Sequence, residues 1–546
     1  MKRKAVAAVL TAVMVASMFT GCGSDNGSSS AKSASAASAA SAANDTVDED
    51  GKVNGIMYQE GLPLVDEGAY TFSIFCDDSS ESGEFIMLDE FKKQTNVDVD
   101  LKIYPYETAT ERLNLDLNSG DYADVIGGWT LSDNAILTYG VNQGVFIPLE
   151  DYFEKYCPNI SAILDLPGVR EKMTAPDGHI YTIPYVCTDT TVGYSPYINT
   201  KWLENVGMSM PTTTDEFEAV LKAFKEQDAN GNGDASDEIP FSTDPNNKHI
   251  EAMAGYFGLP MNKLGIAIQN EKVVYGGVSD TYREFLSWFH KLYAEGLVDV
   301  ELYTQDSSTW EGKGNQDLYG VSIAYGSGEF TGIPAAEERG DFDSMPVLNT
   351  DKDGIWLRDT EGFSVYRTQA VITNKAEHPE IICRWFDNAF ALENGIGCNR
   401  GPVGVIVNKE DDGYHAIDTT TLSEEDQEKY SWGNLWPQSL PKYLPADFEF
   451  VEEHPMYDEK KATEEAYEAN LTKEIIPSYW IDLDKIDTFS DTNTAIKDFF
   501  EQQQAQFVCG ELDIDNDADW QAYVDGMYSL GLEDWVATQG IEEIAK

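Results

Sequence analysis

Asp228, Asn230, Asn232, Gly233, Asp234, Asp237 and Glu238 fall within one short stretch, Asp228-Ala-Asn-Gly-Asn-Gly-Asp-Ala-Ser-Asp-Glu-Ile-Pro240. Oxygen-bearing side chains at the first, third and fifth positions, a Gly at the sixth for the sharp turn and a carbonyl at the seventh match a calcium-binding loop. Calcium takes about six to eight hard oxygen ligands, and alternating oxygens on a tight loop supply them. The twelfth position, where an EF-hand places its bidentate acid, is Ile239, and the acids stand just before it as Asp237 and Glu238. This is not a regular EF-hand. Two readings remain: one structural Ca²⁺ held by all six polar residues (through the Asp234 carbonyl), or a solvated polar turn.

Other reactive constellations are scarce. The chain has no G-x-S-x-G, no H-E-x-x-H and no P-loop, and its six His are isolated. Among 96 Asp and Glu some pair will always stand at glycosidase spacing, so such a pair carries no information. No catalytic residue is assigned. The 11 Trp and 28 Tyr offer ring faces on which the apolar side of a sugar can stack. Trp202, Trp288, Trp385, Trp520 and Trp535 lie in helix-like contexts and read as core. Trp129, Trp310, Trp356, Trp432 and Trp436 lie in loops or at strand ends, within a ligand's reach.

These residues need elements to position them. Tyr70–Cys76 reads as a strand, and Phe85, Leu88 and Phe91 have helical spacing. Val97, Val99, Leu101 and Ile103 alternate with polar residues as a strand; Thr108–Asn118 reads as a helix and 124–126 as a short buried strand. Strands alternating with helices imply a parallel sheet, whose ligands sit beyond the carboxyl ends of the strands. Those ends are Cys76-Asp77-Asp78 and Gly127-Gly128-Trp129. A second unit begins near Thr190, with a capping box at Thr213 and Glu216 and an amphipathic helix over 282–293 closed by Gly296. Ala370–Thr373 is strand-like and Pro379 opens another helix, as if the chain returned to its first unit.

The amino terminus and the charge set the compartment. Met1-Lys-Arg-Lys4 followed by apolar Ala5–Phe19 is too short to span a membrane and reads as a secretory signal. Its end, Phe-Thr-Gly-Cys22, resembles a lipobox, which would make Cys22 the acylated first residue. Residues 22–65 then read as a Ser/Ala/Gly-rich and acidic tether that cannot bury a core, with an r.m.s. reach on the order of 35 Å. The remaining Cys76, Cys157, Cys187, Cys383, Cys398 and Cys509 show no C-x-x-C pairing, and free thiols and disulfides stay open alike. With 42% apolar residues the 546-residue chain can build sizeable cores, in two large lobes or several domains. Its formal charge of −59 repels nucleic acid and anionic lipid, which excludes a nucleic-acid binder.

Several stretches together resemble the bacterial extracellular solute-binding proteins of family 1, the carbohydrate-type receptors of ABC importers. They are Glu111–Ile126, Ala175–Pro184, Ile198–Gly207, the Asp228–Pro240 loop, Leu292–Asp299, Gln506–Gly510 and Asp519–Tyr523. The resemblance implies an α/β, two-lobed periplasmic-binding-protein-like fold of type II, with discontinuous lobes joined by hinge strands. Lobe one would be 66–187 plus 365–405 and lobe two 188–364 plus 406–546, with crossings near Tyr185–Thr191, Phe363–Thr368 and Gly401–Val407. It implies a monomeric, non-catalytic lipoprotein on the outer face of the cytoplasmic membrane that passes an oligosaccharide to ABC permease subunits. The alternatives are a receptor for a peptide or other polar solute, and a surface glycan-degrading lipoprotein. The ligand is expected between Asp77, Asp78, Trp129 and Tyr185 on one side and Trp310, Tyr325, Trp356 and Trp436 on the other.

The lipobox reading has a direct test. Cys22→Ala should release the protein from cells into the medium. A variant that stays membrane-bound, with no unprocessed precursor present, would refute acylation at Cys22.

Overall fold

The apolar run Tyr70–Asp77 forms the central strand of the first sheet because it is buried on both sides. The computed structural model describes residues 45–545 except 79–83, 188–190, 245–248, 333–339, 361–363, 446–447, 449, 452–454 and 542. Cys22 lies outside the described residues.

Strand β1 (Tyr70–Asp77) pairs in parallel with β2 (Val97–Tyr104), in a register running from Tyr70 opposite Val97 to Asp77 opposite Tyr104. On its other side β1 pairs in parallel with β3 (Val125–Gly127). The helices Ile86–Thr95 and Tyr106–Ser119 make the connections, as the sequence pattern requires. All the strand ends named from the sequence fall on one edge.

The next strand, β4 (Tyr185–Cys187), leaves this lobe, and a second sheet follows. It contains β5 (Ser195–Asn199), β6 (Ile239–Thr243), β7 (Tyr319–Ala324) and β8 (Phe342–Ser344) in the order β8-β5-β7-β6. β6 and β7 are parallel, whereas β5 runs against β7. The start of β5 therefore lies at the same edge as the ends of β6 and β7. The helix Thr214–Glu226 is capped by Thr213, whose hydroxyl accepts from the Glu216 N–H at 3.2 Å. It buries Phe217, Val220, Leu221 and Phe224 beneath this sheet.

Strand β9 (Ser364–Tyr366) brings the chain back, pairing antiparallel with β4 so that Tyr366 faces Tyr185. β10 (Ala370–Ile372) then joins the edge of the first sheet beside β3. The two-lobed α/β architecture and the return of the chain match the sequence reading.

Two boundaries differ, and a strap between the lobes is added. The third crossing does not occur at Gly401–Val407, where Val407–Glu410 instead forms a hairpin with Gly413–Ala416. Tyr443 is the residue that bridges to Val186 of β4. The reason is apolar: Trp436 and Leu440 are fully buried in the first lobe. A Cβ on Gly127 would lie 2.2 Å from Leu440 Cδ2, so β3 admits this segment only because it lacks a side chain there. Residues 45–65, expected within the tether, are folded against the first lobe. Val53, Met57, Leu64 and Val65 are buried there, and Asn54 Nδ2 donates to Glu380 Oε1 at 2.9 Å. Finally, a strap over 470–480 ties the lobes together behind the crossings. Asn470 and Thr472 bond to the main chain of Trp356 in lobe two. Further on, Arg367 Nη2 donates to the Tyr479 carbonyl at 2.8 Å, and Trp480 Nε1 donates to the Lys172 carbonyl at 3.0 Å.

Cys76, Cys157, Cys383 and Cys398 are buried free thiols and Cys509 an exposed one. The Cys187 side chain lies outside the described residues. No helix among the described residues is long and apolar enough to cross a membrane.

Trp436, expected to face ligand, stacks on Trp385 at 5.6 Å and tilts against Phe91 at 5.1 Å. Removing so large a buried ring leaves a cavity, so Trp436→Ala should destabilise the protein by about 3–5 kcal/mol. Urea denaturation checks this, and wild-type stability in that variant would take Trp436 out of the core.

Candidate functional site

β1, β2 and β3 end together on one edge of the first sheet, and β6 and β7 end together on one edge of the second. The crossing strands β4 and β9 lie between the lobes. The site is built from these edges.

On the first edge Asp77 is fully buried. Its Oδ1 accepts from the Trp129 N–H at 2.9 Å and its Oδ2 from the Thr130 N–H at 2.6 Å. Burial pushes the Asp77 carboxyl up, and the hydrogen bonds from Thr130 and Trp129 oppose that shift. Gly128 has φ 133°, and a Cβ on it would fall 2.2 Å from Asp77 Oδ1, so only glycine lets the loop wrap the carboxylate this closely. Asp78 is buried too, its Oδ2 accepting from the Gln438 N–H at 2.7 Å. Both acids therefore serve the frame. They are corrected from ligand contacts to positioning groups, because both Asp77 oxygens and Asp78 Oδ2 accept from main-chain N–H groups.

What Asp77 positions is Trp129, which is 45% exposed. Tyr366 meets it edge-on at 5.4 Å, Tyr185 lies 6.3 Å away, and the two tyrosines are 5.5 Å apart. Tyr185, expected in the site, is nearly buried and backs the exposed indole. Tyr366 was missed. Its only signal in the sequence is its place in the second expected crossing.

On the second edge, Tyr194 precedes β5, Asp244 follows β6 and Tyr325 follows β7. Tyr325 is 37% exposed. The Lys460 Nζ sits 4.0 Å over its ring and donates to its carbonyl at 2.6 Å. Tyr194 stacks on His249 at 4.0 Å and meets Tyr325 edge-on at 6.2 Å. Burial, with the Lys263 charge nearby, pushes His249 down to about 3, so its ring is neutral at neutral pH. Burial, then the charges of Glu329 and Asp244, pushes the Tyr194 phenol up, and Tyr106, just past the end of β2, adds to the shift. Tyr194, His249 and Tyr106 were not found from sequence, since a ring beside a strand end has no pattern of its own.

Two further expectations fail. Trp310 is buried on the helix Ser307–Asn315, with Phe330 at 5.7 Å and its Nε1 donating to Ser322 Oγ at 3.2 Å. Trp356 is buried against Tyr467 at 5.5 Å and Tyr256 at 5.8 Å. Both fill cores that loop context could not reveal. Of the eight residues expected at the ligand, Trp129 and Tyr325 are the exposed ones.

The Asp228–Glu238 loop connects the helix Thr214–Glu226 to β6. Asn230 Oδ1 accepts from the Asn232 N–H at 2.9 Å, Asn232 Oδ1 from the Asp234 N–H at 2.8 Å, and Asp228 Oδ2 from the Gly233 N–H at 3.0 Å. The Asp234 side chain turns to Ser236. Asp237 accepts from the Asn232 amide at 2.7 Å, while Glu238 Oε1 accepts from the Ala229 N–H at 2.8 Å. Two oxygens remain buried without a hydrogen-bond partner, Asp228 Oδ1 and Glu238 Oε2. Burial, then the charge of Asp237, pushes the Glu238 carboxyl up. Unmatched carboxylate oxygens in a curled, oxygen-rich loop are what a hard cation would satisfy. The donor set fits the group.

Comparison with known proteins gives consistent findings. A profile of the family described as bacterial extracellular solute-binding protein matches residues 78–395. The chain is similar to the fructooligosaccharide ABC transporter substrate-binding protein FusA of Streptococcus pneumoniae serotype 4 (strain ATCC BAA-334 / TIGR4). The two are 31% identical over 411 residues, 73% of this chain and 70% of FusA. The solved structure of FusA in complex with kestose superposes with a TM-score of 0.75 at 26% identity, covering 86% of this chain and 98% of that one. A second FusA structure, of an EF-hand mutant in complex with fructo-nystose, gives a TM-score of 0.73 at 27% identity over the same shares. Lipoprotein LipO of Bacillus subtilis (strain 168) is 28% identical over 280 residues, 50% of this chain and 52% of LipO.

Proposed function

Because the chain belongs to the bacterial extracellular solute-binding protein family, we propose that it captures an oligosaccharide in this cleft and delivers it to the permease subunits of an ABC importer. One observation carries the reading. Asp77 holds the Gly128–Thr130 turn so that Trp129 stays 45% exposed, set edge-on to Tyr366 of the crossing strand β9. A sugar offers an apolar face and a rim of hydroxyls, and a cleft with an indole on one wall and a tyrosine amid carboxylates on the other meets both needs. Ligand touching both walls favours the closed arrangement, with the pairing of β4 and β9 as the hinge. Relatives of the chain are substrate-binding proteins, and the reading assigns no catalytic step.

The likeness to FusA and LipO supports an oligosaccharide ligand and a lipoprotein in turn. The chain is read as a monomer tethered through Cys22 on the outer face of the cytoplasmic membrane. The lobe limits follow the two sheets: 45–186 with 367–443, and 194–360 with 459–545. A single Ca²⁺ would be held by Asp228, Asn230, Asn232, the Asp234 carbonyl, Asp237 and Glu238. It would bind these oxygens as a hard cation and fix the entry to β6, the strand that leads to Asp244.

Two experiments follow. Thermal-shift screening against a glycan panel should find a saturating ligand, since ligand at 100 times its Kd stabilises by about 2.7 kcal/mol. With that glycan, Trp129→Ala should bind more weakly by about 1 kcal/mol or more while keeping its melting temperature. Unchanged affinity by calorimetry would remove Trp129 from the site. For the loop, a chelator should lower the melting temperature of metal-loaded protein, and Asp228→Ala should abolish that sensitivity. Coincident melting curves with and without chelator would rule out the cation.

A further inference from the structure

Of the five tryptophans placed within a ligand's reach from sequence, Trp310, Trp356 and Trp436 are buried, whereas Trp129 and Trp432 stay exposed. Trp432 is 43% exposed, almost as open as Trp129. The segment that carries it is firmly held. Trp436 stacks on Trp385 in the first core, and its Nε1 donates to the Leu440 carbonyl at 3.3 Å. The buried Gln438 side chain reaches back, its Nε2 donating to the carbonyls of Trp432 and Trp436 at 2.9 Å each. Lys442, itself buried, donates from Nζ to Gln438 Oε1 at 2.6 Å and stands 5.2 Å over the Trp432 ring. A buried ammonium over an indole face steadies the ring by a cation–π contact, and here it does so without covering it.

This segment grips the same two residues as the Trp129 turn. Asp77 holds Trp129 and Thr130 through its carboxylate, while its carbonyl accepts from Ser439 Oγ. Asp78 Oδ2 accepts from the Gln438 N–H at 2.7 Å. Successive Cα atoms lie about 3.8 Å apart, so both indole-bearing loops are fastened to one point at the end of β1. Leu440 adds a second fastening, since it fills the space beside Gly127, two residues before Trp129. Burying a ring this large would stabilise the fold, yet at this strand end hydrogen bonds hold two of them in water.

We infer that Trp432 is a second stacking platform of the oligosaccharide site, serving a sugar unit beyond the one at Trp129, so that the receptor favours chains long enough to cover both indoles; the inference rests on the oligosaccharide reading above. Each ring takes the apolar face of one sugar unit. Both rings are placed before ligand arrives, so a longer chain gains a contact without having to order the protein. A short chain covers Trp129 alone. Affinity therefore climbs with chain length until Trp432 is covered, and then levels off.

Calorimetry of the whole protein against ladders of neutral fructo-, manno- and cello-oligosaccharides, from disaccharide to heptasaccharide, tests this. In one ladder the long members should bind the wild type about fivefold or more tightly than the shortest member that binds. Trp432→Ala and Trp432→Leu should lose that gain while binding the shortest member as the wild type does. Trp432→Phe, which keeps an aromatic face, should recover most of it, and all three should melt with the wild type. Folded variants that match the wild type at every chain length would overturn the inference and leave the receptor standing. Equal weakening at every length would also overturn it, placing Trp432 at the same sugar unit as Trp129. A lowered melting temperature in all three variants, with the gain from chain length intact, would assign the ring to the frame instead. If no ladder binds, the oligosaccharide reading falls and this inference falls with it.

Discussion

A carboxylate that water does not reach sits at the end of the first sheet's central strand, and the cleft depends on it. Asp77 gives up its hydration to accept two main-chain N–H groups from the loop after β3. A buried acceptor left unmatched is expensive, so loop and strand constrain each other: the loop cannot open without stranding a charge, and the charge cannot be there without the loop. Gly128 makes the approach sterically feasible. Everything on the ligand side of lobe one inherits its position from this contact. Trp129 remains half in water because its backbone is held while its ring is not covered.

Lobe two is organised on the same plan by different means. The chain enters β6 from the oxygen-rich loop at Asp228–Glu238, leaves at Asp244, and comes back along β7 to reach Tyr325. Here Lys460, extended from a late helix, stitches the starts and ends of strands by bonding to the carbonyls of Gly193 and Tyr325. Glu459 beside it accepts from the Ser327 N–H at 2.8 Å. An order-giving contact at each sheet edge leaves one aromatic face open on each side of the gap, and that pairing is what a closing receptor needs.

Much of the fold was legible because period and alternation report burial directly. Val97–Ile103 alternates and is a strand with one half-buried face; Phe217–Phe224 repeats at helical spacing and lies under a sheet. The polar turn at 228–238 was legible as a turn because its tight geometry dictates its residue types. Individual site residues were less so. An acid at a strand end reads alike whether it meets sugar hydroxyls or main-chain N–H groups, and Asp77 and Asp78 do the latter. Tryptophans in irregular chain read as exposed, yet Trp310, Trp356 and Trp436 fill cores assembled from segments distant in sequence. The third crossing was placed too early because nothing local marks 435–443 as belonging to lobe one; only the space beside Gly127 does.

The folding of residues 45–65 against the first lobe decides which half of the molecule is stationary. Asp45 accepts from the Tyr156 hydroxyl at 2.8 Å, so the first described residue is held by lobe one. A swing of lobe two about the β4–β9 pairing would leave this segment at rest on its own lobe. A docking protein would find one face of constant orientation and one whose angle encodes occupancy.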